Sequence, residues 1–160
     1  MKKITVSLLF VGLIYFLLIT WVNLFPWNDT HVAKAFFGDD YYTQLVIGTI
    51  VTSLPIVLSV ISFLIQKRFM MMICTVLMSG LLFLQIMSNW LPYIFGTTLD
   101  AQHLHEILFS RTLSLLPSIS NHPVPDSAHT VLFLLYICIL ITMILSLRQQ
   151  KVKMKMKKSA

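Results

Sequence analysis

Charge is what this sequence has least of. Only 11% of its 160 residues are Asp, Glu, Lys or Arg, against about 25% in ordinary globular chains. Four stretches, at about residues 4–25, 42–66, 69–90 and 127–147, contain none of the four. Apolar runs of that length mark membrane spans rather than a large soluble core. Ionisable groups inside spans are the usual mark of proton relays and coupled pumps, so their absence argues against an ion-coupled transporter. Cysteine is scarce as well. Cys74 and Cys138 both sit in apolar runs and form no CxxC, so each reads as an inert small hydrophobe and no disulfide framework is expected. There is no HExxH, no GxSxG, no internal repeat and no nucleic-acid module. No catalytic residue and no cofactor is therefore assigned.

What is present follows in chain order. Lys2-Lys3 opens a first apolar run too long for the roughly 7–15 residues of a signal peptide's core. At about 1.5 Å per residue it crosses a hydrocarbon layer of about 30 Å as a helix, with Trp21 and Trp27 as interfacial anchors. A polar link with a turn at Gly38-Asp39-Asp40 leads to the second span; Asn28-Asp29-Thr30 in it matches a glycosylation sequon.

Along the second span Gln44, Gly48, Thr52, Pro55, Ser59, Ser62 and Gln66 recur every three or four residues, so they share one helical face. Small and hydroxylated residues let helices approach closely inside a membrane, and the row is expected to be a packing seam, with Gly48, Thr52, Pro55, Ser59 and Ser62 at its centre. A polar conduit is the sharper alternative. Lys67-Arg68 then turns the chain into the third span, whose methionines read as apolar filling. Near its end Gln85 and Asn89 share a face one turn apart.

The segment from residue 93 to 129 gathers His103, His105, His122 and His129 with Asp100, Glu106 and Asp126. Thr97 is the expected N-cap of an amphipathic helix running from Leu99 to Leu116 and stopped by Pro117. His103 and Glu106, at i and i+3, are the better helical pair, whereas His103 and His105 diverge by about 200°. His103, Glu106, His122 and His129 could converge on a metal ion; ordinary interface histidines are the plainer reading, and no metal is assigned.

Orientation follows from the basic residues. With both termini cytoplasmic, ten of the twelve lie inside and only Lys34 and Arg111 outside, as the positive-inside rule requires. The basic tail, residues 148–160, can then pair with anionic lipid. Its last residues match a dilysine retrieval signal, but the short basic start, small loops and lysine-rich end fit a bacterial plasma membrane better.

The run Trp90-Leu91-Pro92-Tyr93-Ile94-Phe95-Gly96, followed by Leu116-Pro117, Val124-Pro125 and His129, resembles a pattern of small bacterial four-helix membrane proteins. The resemblance covers about a quarter of the chain, implies the four-span fold and brings no activity. The pattern has a second histidine one turn after the first, where this chain has Leu132 and Phe133. The sequence thus points to an all-α, single-domain, four-span bundle over residues 1–160, with an external amphipathic helix between spans three and four. The expected role is a non-enzymatic accessory, sensor or immunity-type protein touching another membrane protein or a second copy. The alternative is a small enzyme or carrier with an external histidine–acid site. Nucleic acid is not an expected partner.

Overall fold

The structure, a computed structural model, describes residues 1–120 and 122–159. The side chains of residues 153–155 and 157–159, which include four lysines of the basic tail, lie outside the described set. Among the described residues there are helices and no strand. Four stretches are long and apolar enough to cross a membrane: Lys2–Trp21, Thr30–Ile65, Arg68–Phe95 and Ser127–Val152.

The first is one helix, α1 (Lys2–Trp21). The second comprises a short α2 (Thr30–Phe37), a 3₁₀ turn over Gly38–Asp40 and the long α3 (Tyr41–Ile65). The third is α4 (Arg68–Gln85), a π turn over Ile86–Trp90 and α5 (Leu91–Phe95). A separate α6 (Leu99–Phe109) precedes α7 (Ser127–Ser159), the longest helix. α1 packs against α3 and α7, and α4 packs against the same two. Leu9, Ile56, Phe63, Met78, Tyr136 and Ile139 fill the space between them. The outward faces are as apolar as the core. Val76, Phe69, Ile50 and Ile14 stand well exposed, a surface suited to lipid rather than water.

Polar groups join the helices near the termini. Thr5 and Ser146 share a hydroxyl hydrogen bond of 2.9 Å. The Lys2 ammonium donates to the Leu64 carbonyl at 3.1 Å, and the Gln150 amide to that of Gln66 at 2.6 Å. Both termini and the turn at Gln66-Lys67 therefore share one end; α2, α5, α6 and the loop before α7 occupy the other.

Several expectations need correction. The row on α3 is a seam only along part of its length. Ser59 and Ser62 are fully buried, and Thr52 and Pro55 half-buried. Gln44, Gly48 and Gln66 are exposed, and a Cβ at Gly48 would meet nothing within 4 Å. The tight glycine is Gly12, where an added Cβ would lie 2.8 Å from Ile139 Cδ1.

Pro92 does not end the third stretch, because the turn before it is widened. The Leu91 N–H reaches back five residues to the Ile86 carbonyl, and the helix continues past a ring that an α turn would exclude. Gln85 and Asn89 hydrogen-bond to each other across this turn at 3.1 Å. The N-cap of α6 is Thr98, accepting from the Ala101 N–H, and not Thr97. Nor does α6 reach Leu116. Beyond Phe109 the backbone enters tertiary bonds, Leu113 N–H to the Pro26 carbonyl and Ser127 N–H to the Leu113 carbonyl. Trp27 turns inward and donates to the Tyr15 hydroxyl at 2.9 Å, leaving Trp21 as the exposed one. Asn28, read as a sequon, is buried. Its amide donates to the Ile19 and Val22 carbonyls and accepts from the Leu24 N–H, closing the end of α1.

Candidate functional site

The loop before α7 ends in Asp126, and its position explains its conformation. An aspartate before the first helical residue can accept from the free N–H groups of the opening turn. Asp126 Oδ1 accepts from the His129 backbone N–H at 2.7 Å and from His129 Nδ1 at the same distance. Its carbonyl accepts from Thr130 Oγ1 at 2.8 Å. The residue is 2% exposed, and its second oxygen, Oδ2, is buried without a hydrogen-bond partner among the described residues. The helix N-terminus favours the negative charge, but an unmatched carboxylate oxygen away from water is costly.

His129 keeps about a third of its side chain exposed, 34%. Because Nδ1 faces a carboxylate, it carries the proton, and Nε2 becomes the outward nitrogen. Among the described residues Nε2 has no hydrogen-bond partner. The Phe109 ring meets the imidazole edge-on, 5.6 Å between centroids, and the His105 ring lies 4.7 Å from that of Phe109. Through this stack α6 rests on the head of α7. Burial lowers the His105 pKa below its ordinary value, partly offset by Asp126 and Glu106, while His129 adds to the lowering.

Two clefts meet here, and Phe109 and Asp126 belong to both walls. One, of about 520 Å³, is polar and lies between α6 and the loop, with His105, Glu106, Thr112 and His122 on its sides. The other, of about 290 Å³, opens between α1, α2, α3 and α7. Asn28, Asp29 and His129, together with Thr20 and Thr30, join Asp126 on its polar wall, and Ile19, Phe37, Tyr41 and Leu45 are on its apolar one. Asp29 is another buried carboxylate, its side chain 5% exposed. It accepts from the His31 N–H at 3.2 Å, and Arg111 Nε stands 3.9 Å away.

The chain matches no family model, curated protein or solved structure.

The histidine–acid cluster that the sequence allowed as the less plain reading does not assemble. No three His, Cys, Asp or Glu side chains among the described residues are close enough to share a metal ion. His103 is exposed on α6. His122 and Glu106 both stand on the wall of the polar cleft, His122 with its Nδ1 donating to the Tyr93 carbonyl at 3.1 Å, and only His129 is at the dyad. Beside His129 the site is carried by Asp126, Asp29, His105 and Phe109, none of which was among the four candidate ligands. A sequence signal did exist for one of them: Asp126 stands one residue before an uncharged run, at the place an N-cap takes.

The segment Trp90 to Gly96 serves as a clamp on this loop. Trp90 packs on Phe133 at 4.4 Å between rings, and the Tyr93 hydroxyl donates to the Pro117 carbonyl at 2.9 Å. Gly96 adopts φ 79°, and a Cβ there would press within 3.1 Å of His122 Nε2, so glycine suits the position twice over.

Proposed function

We propose that this chain is a bacterial plasma-membrane protein, a four-span helical bundle with both ends in the cytoplasm and α6 lying outside. Its role in this reading is a non-enzymatic accessory or sensor that acts by contact with another membrane protein. The orientation is supported by the ten basic residues gathered at the termini and at Lys67-Arg68, against two on the other side. Lateral contact is supported by the outer half of α3, where Gly48 faces outward with nothing packed on it and offers a flat strip to a partner helix or a second copy. The basic tail would meet anionic lipid on the inner face.

One observation carries the sensor reading. The buried carboxylate of Asp126, with one oxygen unmatched, forms the head of a helix that continues without interruption to Ser159. At about 1.5 Å per residue that helix is about 50 Å long, so a change at the outer cleft has a rigid route to the tail. The alternative, an enzyme or carrier at the same place, draws on the unpartnered Nε2 of His129. No hydroxyl or thiol is hydrogen-bonded to that nitrogen among the described residues, so binding is preferred to nucleophilic catalysis.

Two measurements test this. Reporter fusions after Lys67 and Arg148 should read cytoplasmic and those between residues 100 and 120 external; an external tail would sink the orientation. A spin label at Val152→Cys, with Cys138 replaced by alanine, should change mobility when Asp126→Asn removes the charge. A tail indifferent to Asp126 would sink the sensor reading.

A further inference from the structure

We propose that the smaller cleft binds an ammonium-headed amphiphile, its nitrogen donating to Asp126 Oδ2 and its hydrocarbon lying along Ile19, Phe37, Tyr41 and Leu45. This rests on the membrane-surface position given to the site above. The first ground is the unmatched oxygen. Asp126 is 2% exposed and lines the cleft, its Oδ1 already takes two donors from His129, and Oδ2 takes none among the described residues. A ligand donor removes the penalty of burying an unpaired acceptor; a ligand carboxylate or phosphate would add to it.

The second ground is the charge of the wall. Asp29 places another buried carboxylate on the same cleft, and its one cationic neighbour, Arg111, is 3.9 Å away on a largely exposed side chain. Among the residues lining the cleft there is no Lys or Arg. A cation fits and an anion does not. A bare metal ion is disfavoured by the donor set, since among the described residues no third ligand stands near enough. An organic ammonium needs only one or two acceptors, and the aromatic residues Phe37, Tyr41 and Phe109 on the wall suit a cation further.

The third ground is access. The opening turns of α3 carry no buried residue, and Val46 and Ile47 beside the cleft are well exposed. Tyr41 and Leu45 thus join the cleft to the lipid-facing surface. A volume of about 290 Å³ lies near the lower bound of about 300 Å³ for small-molecule sites. It suits a head group and the first part of a chain, the remainder emerging between helices. The ammonium could belong to a single-chain amine or to an aminophospholipid; both present the same group to Asp126.

The test is saturable binding of radiolabelled dodecylamine to the full chain in a neutral maltoside detergent. Asp126→Asn keeps the size and the helix cap and removes the charge; it should weaken binding about tenfold or more. Ala33→Phe, which fills the cleft and leaves Asp126 intact, should do the same and covers the case in which the Asn variant fails to fold. Dodecanoate should not compete. Displacement by phosphatidylethanolamine assigns the ligand to the bilayer, and displacement by free amines alone to a solute; either result supports the proposal. Unchanged binding in both variants, or equal competition by dodecanoate, overturns it. The tail measurement with Asp126→Asn uses no ligand, so this proposal and the sensor reading can fail separately.

Discussion

The two halves of this molecule are built from the same greasy helices and behave in opposite ways. Toward the termini the helices close on one another: Ser59, Ser62 and Phe63 are buried, Gly12 admits Ile139 at contact distance, and Thr5 reaches across to Ser146. Toward the other end the first turns of α3 bury no residue, though Tyr42 and Thr49 accept hydrogen bonds from Lys34 and Trp21, and two clefts open around the head of α7. α3 shows the difference within one element, since its row of small residues begins exposed at Gly48 and ends sealed at Ser62. A repeating pattern of small residues therefore states that close approach is possible, and the neighbouring helix decides where it happens.

The sharpest way to break the comparison is to overfill the closed half. Gly12→Leu and Ser59→Leu should each lower stability in detergent by about 1–3 kcal/mol, read as a shift in thermal unfolding, with Gly12→Leu the worse because its Cβ already meets Ile139. An unmoved transition would mean that the halves do not differ in packing. Next comes the head of α7. Asp126→Ala should cost about 0.5–2 kcal/mol through loss of the cap, while Asp126→Asn should stay close to wild type; equal losses in both would show that charge rather than capping holds the turn. In the open half Gly48→Leu should move stability by no more than about 0.5 kcal/mol. A loss as large as at Ser59 would mean that something covers this face in the detergent-solubilised protein.

The smallest effect expected is a pH dependence. Burial holds the His105 pKa below its ordinary value, so folding disfavours its charged form. Its contribution is complete above about pH 6.5 and is lost as the pH falls through the lowered folded value. The stability difference between wild type and His105→Gln should therefore shift against wild type in acid. A difference that is flat between pH 7 and 5 would show that α6 does not rest on α7 in solution.

The four apolar stretches were legible from the lack of charge alone, because a long uncharged run has few other uses. The short α2 was not, since eight residues carry too little periodicity to separate a helix from a polar link. The third helix outruns the expected end at residue 90 for a physical reason: Pro92 excludes an α turn, but it does not exclude a helix that first widens. At the site, sequence spacing showed that His103 and His105 cannot face the same way on a helix. Which of them meets α7 depends on where Phe109 lands against His129, a tertiary fact that no local pattern carries. Asp126 was hidden among three acids of one segment, and its burial, not its type, sets it apart.

The π turn at Ile86–Trp90 also bears on how such a chain can change length. A π turn holds one residue more than the α turn it replaces. Removing a single residue from it would restore ordinary α turns and leave what lies beyond close to its present direction, but it would set the Pro92 ring against the carbonyl four residues before it. The contact of Trp90 with Phe133 and the hydrogen bond from the Tyr93 hydroxyl to the Pro117 carbonyl lie within and just past that turn. The strain of such a deletion would therefore fall on the contacts that fasten the loop and spare the end of the bundle near the termini.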